Sequence, residues 1–354
     1  MNSPGISREA RLTSHHTAAT ALARHSDRSL SRLLDKATPC GSGIGGTSVL
    51  LELDGLQVFV KRVPLTDLER RPENVHSTAN LFGLPPWCQY GVGAVGSPGF
   101  GAWRELAVHT MTTNWVLAGE YDGFPLMHHW RVLPDSPPLP EELTDVERAV
   151  AHWGGAPGVR ERIEARGSSS ASVTLFLEYI PCTLHDWLGA QTTAGAAAAD
   201  RACALVEREL AAGITFMNSQ GLLHFDAHFQ NILTDGHRLY FADFGLALSA
   251  RFDLTPQERA FFDGHRHYDR CYSLSYLVNW LLKDLYDLDR EEREVRTRAY
   301  AQGERPTGIP DAAAAAIARY APLATVMAGF FRRLEAESST PYPVEELDRF
   351  LDLT

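Results

Sequence analysis

Cysteine is scarce and scattered. The five cysteines, Cys40, Cys88, Cys182, Cys203 and Cys271, form no C-x-x-C pair. That excludes a disulfide framework and a Cys-based zinc site, and it fits reduced thiols. A basic excess is also lacking: 33 Lys and Arg against 44 Asp and Glu leave a net charge of −11. Nucleic-acid surfaces need clustered cations, so no nucleic-acid partner is expected. No apolar run reaches the roughly 18 residues of a membrane span. The opening MNSPGISREARLTSHH is polar and lacks a signal-peptide core. These absences lead us to expect a soluble, cytoplasmic protein with no membrane partner.

The 354 residues suffice for one large two-lobed unit. Residues 1–28 read as a flexible tail or an added short helix. A helix over 29–37 leads into a glycine-rich turn. Strands at 49–53 and 57–63 flank Asp54-Gly55, a strong hairpin signal. Residues 64–100 are rich in Pro and Gly and read as loop, and 102–117 reads as helix. The stretch of about 119–172 reads as a large insertion. It holds a short strand near 129–133, a Pro-rich turn, two helical pieces and a flexible linker at 167–172. A buried strand over 173–179 follows. Beyond residue 181 helices dominate, at about 184–189, 199–219, 267–287, 290–301 and 311–337. β-rich sequence therefore precedes α-rich sequence, an order compatible with a small sheet lobe followed by a helical lobe.

Three features carry chemistry. Gly41-Ser42-Gly43-Ile44-Gly45-Gly46 fits G-x-G-x-x-G and is followed by a β-type run, which suits a flap over phosphates better than a dinucleotide turn. Lys61 ends the apolar strand Val58-Phe59-Val60 and can reach α/β-phosphates. The third feature is His224-Phe225-Asp226-Ala227-His228-Phe229-Gln230-Asn231, with Asp243-Phe244-Gly245 after it. It matches H-x-D-x-x-x-x-N followed by D-F-G.

On these motifs the chain resembles the protein kinase superfamily, and in style its aminoglycoside-phosphotransferase-like branch of small-molecule kinases. The resemblance covers about residues 41–285, with a departure at 64–172. It implies an α+β, bilobal protein-kinase-like fold: a small antiparallel-sheet N-lobe over 29–180 and a mostly helical C-lobe over 181–354. It also implies an ATP-dependent phosphotransferase acting on an alcohol group. Asp226 would orient the acceptor hydroxyl and take its proton. Asn231 and Asp243 would hold Mg²⁺ through hard oxygen ligands. Gly41, Gly43, Gly46 and Lys61 would bind the phosphates of ATP. The hinge Glu178-Tyr179-Ile180 would meet the adenine edge with backbone N–H and C=O groups, through Glu178 and Ile180. Glu105 is the chosen partner of Lys61, with Glu69 and Glu73 as alternatives. His224 would buttress the catalytic loop, and Asp269 would anchor the helical lobe.

The acceptor is read as a small molecule, since His228 stands two residues after Asp226 where Ser/Thr protein kinases usually carry lysine. Phe225 replaces the arginine that pairs with an activation-loop phosphate, and A-P-E is absent. A protein serine/threonine kinase is the alternative, and a nucleotide-binding pseudokinase scaffold the second. Asp253, Glu258 and Asp263 read as a solvated loop or contacts to a cationic acceptor. His128-His129 and His265-Arg266-His267 lack metal-ligand partners at useful spacing.

Overall fold

The structure is a computed structural model, and it describes residues 5–43, 45–91 and 95–351. It is mixed α+β, with a small antiparallel sheet and many helices. The chain divides into two compact units, Met1–Ile180 with Asp243–Arg259, and Pro181–Ala242 with Ala260–Thr354.

The first unit runs through α1 (Arg8–Ala23), α2 (Asp27–Leu34), β1 (Thr38–Gly43), β2 (Gly46–Leu53), β3 (Leu56–Leu65) and the single turn α3 (Asp67–Arg70). It continues with α4 (Ala102–Ala118), β4 (Met127–Pro134), α5 (Val146–His152), α6 (Pro157–Gly167) and β5 (Ala171–Glu178). The five strands form one sheet in the order β1-β2-β3-β5-β4. Each neighbouring pair is antiparallel. The β2–β3 turn uses Asp54 at φ 49° and Gly55 at φ 81°, the two positive-φ positions a tight hairpin requires.

The period of two in β3 decides what each face meets. Val58 and Val60 point to a core built with Ala18, Leu22, Leu30 and Leu34 of α1 and α2. Val63 and Leu65 point to the opposite face, against Ala102, Trp103 and Leu106 of α4. Lys61 shares the parity of Val63, so the register places it on the α4 face. A third apolar cluster joins Leu84, Cys88, Val95 and Phe100 to Trp153 of the loop after α5 and to Val159 and Ile163 of α6.

Three expectations are corrected here. Of the two readings for 1–28 the added helix holds over 8–23, capped by the Ser7 side chain, and the flexible tail does not. Part of the presumed insertion is a strand of the sheet, since β4 pairs with β5 from Met127↔Leu177 to Pro134↔Ala171. The presumed linker at 167–172 also fails. Ser169 and Ser172 are buried, and β5 has begun by Ala171.

The second unit opens with β6 (Cys182–Thr183), α7 (Leu184–Thr193), α8 (Ala196–Ser219), β7 (Leu222–Leu223), β8 (Ile232–Thr234) and β9 (Leu239–Phe241). The chain next passes through the 243–259 segment of the first unit. There it carries β10 (Leu248–Ser249) and begins α9 (Pro256–Gly264). It ends in α10 (Tyr268–Tyr286), α11 (Arg290–Ala301), α12 (Asp311–Ala336) and α13 (Val344–Leu351). Helices α8, α10 and α11 pack against α12. Among the described residues α12 alone is long and apolar enough to cross a membrane. Ala316, Ile317, Ala324, Met327 and Phe330 are buried in it, as in a core helix.

Candidate active site

In the first unit the chemistry gathers on Lys61. Its Nζ lies 2.7 Å from Glu105 Oε1 and 2.7 Å from Asp243 Oδ1. Lys61 is 7% exposed and Glu105 2%, so the ammonium and this carboxylate meet out of water. Burial works against the charge on Lys61. Asp243 and Glu105 outweigh it and hold the ammonium well above the ordinary lysine value. Burial also lifts the Glu105 carboxyl above the usual carboxylate range, with Lys61 acting in the opposite direction. Glu105 sits in the first turn of α4, a favourable end for a carboxylate. One turn on, His109 Nε2 is 3.9 Å from Glu105 Oε1. Its ring meets Phe244 edge-on at 5.1 Å.

Glu69, an alternative partner for Lys61, is engaged elsewhere. Its carboxylate receives Arg162 Nη1 at 2.8 Å, the Ala102 N–H at 2.8 Å and the Thr66 hydroxyl at 2.7 Å. Glu73 lies on the exposed 3₁₀ turn 72–74.

The glycine motif closes the β1–β2 hairpin, with Gly43 opposite Gly46. Ile44 lies outside the described residues. Gly46 has φ +134°, and a Cβ there would fall 2.0 Å from the Arg62 carbonyl oxygen. A Cβ on Gly45 would fall 2.8 Å from Lys61 Nζ, so the turn lies directly against the ammonium. Gly41 has more room than Gly45 or Gly46, with Ser48 Oγ as nearest neighbour at 3.9 Å.

Glu178 ends β5, and Tyr179 and Ile180 follow it. The Glu178 N–H is given to the Leu126 carbonyl at 2.7 Å, so that donor already serves the fold and not an adenine edge. The Glu178 side chain pairs with Arg11 at 2.8 Å. Ile180 is buried at the last position of the first segment. Glu258 is neither loop-exposed nor open to a cation. It is buried and paired with Arg104 Nη2 at 2.7 Å.

In the second unit Asp226 is set by a built backbone. The buried Asp269 carboxylate accepts the N–H of His224 at 2.6 Å and of Phe225 at 2.8 Å. Burial raises its pKa to about 6, against the pull of those two bonds. Phe225 takes φ 63°, a costly conformation for a bulky side chain, and delivers the turn into Asp226. Its ring is held by Tyr268 at 4.9 Å and Phe261 at 5.7 Å. His224 Nε2 bonds the Ala242 carbonyl at 2.9 Å. Asn231 Nδ2 donates to Asp226 Oδ2 at 3.0 Å and to the Asp226 carbonyl at 3.1 Å.

The structure thus brings together Gly45, Lys61, Glu105 and Asp243 in one unit, and His224, Asp226, His228 and Asn231 in the other. Sequence reading passed over His109 and Arg11. The first is a lone histidine on an apolar helix, and the second lay in the presumed tail. Among the described residues no group of three His, Cys, Asp or Glu side chains forms a metal cluster. All five cysteines are free thiols. Compared with protein-family models and with curated proteins, the chain matches none.

Proposed function

We propose that the protein is a cytoplasmic, ATP-dependent phosphotransferase of bilobal, protein-kinase-like fold. It moves the γ-phosphoryl group of Mg-ATP to a hydroxyl of a small-molecule acceptor. The observation that carries this reading is the pairing of Lys61 with both Glu105 and Asp243. A glycine turn lies against the same ammonium. A cation fixed by two acids beneath a glycine turn can receive phosphate oxygens without first reorganising.

Asp226 orients the acceptor hydroxyl and takes its proton. Mg²⁺, when bound with ATP, neutralises phosphate charge. Asn231 and Asp243 suit such an ion chemically. The Asn231 amide nitrogen is turned to Asp226, which leaves its carbonyl oxygen as the hard donor, and Asp243 is a carboxylate. Phe225 is buried among aromatic rings and provides no cation for an activation-loop phosphate, which supports a site without that switch.

The test is incubation with γ-labelled ATP and a panel of aminoglycosides, nucleosides, sugars and generic protein substrates. Label in the small-molecule fraction is the expected outcome. Label in protein bands supports a protein serine/threonine kinase instead. Nucleotide binding without turnover supports a pseudokinase scaffold. Asp226→Ala should lower transfer by about 10³-fold or more while sparing ATP binding.

A further inference from the structure

Beside Asp226 stands a second polar side chain, His228, and what is inferred from it rests on the phosphotransferase reading. His228 Nδ1 accepts the backbone N–H of Gln230 at 3.2 Å. In the neutral imidazole the proton therefore sits on Nε2. That Nε2 lies 3.8 Å from Asp226 Oδ1. The ring is further fixed by Tyr276, near-parallel at 28° with centroids 6.2 Å apart. Tyr276 is itself packed on Phe229 at 4.9 Å. The other Asp226 oxygen, Oδ2, receives the Asn231 amide.

A separation of 3.8 Å is too long for a direct hydrogen bond. One oxygen with bonds of about 2.7–2.9 Å to each side spans the pair at a tight angle, and a shift of about half an ångström or somewhat more between the two side chains opens it to the tetrahedral value. Such an oxygen must accept from nitrogen and donate to a carboxylate. An alcohol hydroxyl does both, whereas an ionised carboxylate has no proton to give.

We propose that His228 is a catalytic residue that donates Nε2–H to the acceptor hydroxyl oxygen and so holds it between itself and Asp226 Oδ1. In the transfer the hydroxyl oxygen bonds the γ-phosphorus. The bond from that phosphorus to the β–γ bridging oxygen breaks, and its electron pair leaves on ADP. The hydroxyl proton passes to Asp226 Oδ1 and then to solvent.

The test uses the full chain and slow ATP hydrolysis, with water as the acceptor. Binding of a fluorescent ATP analogue is measured alongside. His228→Ala should lower kcat by about 10²-fold with KM for ATP within about twofold. His228→Gln, which returns an N–H donor at similar reach, should recover most of that loss. If Asp226→Ala is inactive while His228→Ala turns over like wild type, the assignment of His228 is overturned and the phosphotransferase reading stands. Equal loss in the Ala and Gln variants likewise overturns the donor role. If the wild-type protein binds no ATP analogue, or Asp226→Ala hydrolyses ATP at the wild-type rate, the phosphotransferase reading falls and this proposal with it.

Discussion

Arg11 of α1 and Glu178 at the end of β5 meet as a fork, Nε to Oε1 at 2.8 Å and Nη2 to Oε2 at 2.8 Å. The guanidinium also donates to the carbonyls of Asp122 at 2.8 Å and Phe124 at 2.6 Å. Glu178 Oε2 further accepts the Leu126 N–H at 3.0 Å. Arg11 is buried, so removing either partner strands a charge. Arg11→Ala should cost about 3–5 kcal/mol in urea unfolding. Arg11→Lys should recover little, because a point charge cannot reproduce the fork. The double variant Arg11→Met/Glu178→Gln should lose clearly less than the two single losses added. Strict additivity would show that the pair is not coupled.

The glycine hairpin separates folding from binding at neighbouring positions. Gly41→Ala meets ordinary space and should shift stability by less than about 0.5 kcal/mol. Gly46→Ala places a Cβ on the Arg62 carbonyl at a strained φ and should cost about 3 kcal/mol or more. Gly45→Ala meets the flexible end of Lys61. It should cost only about 1 kcal/mol in stability yet weaken ATP-analogue binding about tenfold by displacing the ammonium. Paired thermal unfolding and binding measurements check all three. Equal binding by Gly45→Ala and wild type would show that the turn does not act on Lys61.

What was legible in the sequence had a local signature. Asp54-Gly55 announced its hairpin because positive φ at both positions is a short-range demand. Glu105 could be picked out because 102–117 was the one uninterrupted helical stretch near Lys61. What was hidden depended on burial of the wrong residue types. Helix α1 buries Arg11 with small alanines and a single leucine, so no apolar stripe marked it. Strand β4 begins Met127-His128-His129 and carries Arg131, and it pairs with β5 over long separations, from Pro134↔Ala171 to Met127↔Leu177. Its place in the sheet is a long-range fact that its own residues do not state. Glu258 looked like a loop carboxylate because its partner Arg104 lies 154 residues earlier.

Lys61 neutralises two acids, which makes its removal asymmetric. Lys61→Met leaves Glu105 buried beside Asp243 without its ion-pair partner, with only the more distant Arg166 to offset the charge. It should cost about 3–5 kcal/mol of stability besides abolishing ATP binding. Adding Glu105→Gln removes the stranded charge and should restore a substantial part of the stability but none of the binding. Urea unfolding of the four proteins in this cycle is the measurement. A double variant no more stable than Lys61→Met would show that the cost is lost packing of the lysine stem rather than an unpaired carboxylate.

Acid should weaken the seat of α1. His128 Nδ1 and His15 Nδ1 stand 3.1 Å apart, so one ring must present a lone pair. Burial, then the nearby His15 and Arg11, push His128 down to about 3. Burial also lowers His15, against the pull of Glu178, with His16 acting alongside burial. The unfolded chain takes up a proton on His128 below about 6.5, while the folded chain does not until about 3. The stabilisation is therefore complete above the unfolded value and is lost as pH falls between those two. The slope is up to about 1.4 kcal/mol per pH unit for one proton. Buried His265, held at about 4, adds a loss of the same sign in the second unit. Asp269, raised to about 6, works in the opposite sense over this range, but the two histidines together outweigh it, so unfolding free energy should drop from pH 7 to pH 5. His128→Asn should flatten the dependence by its own share and leave that of His265. An unchanged slope in His128→Asn would place the acid sensitivity elsewhere in the protein.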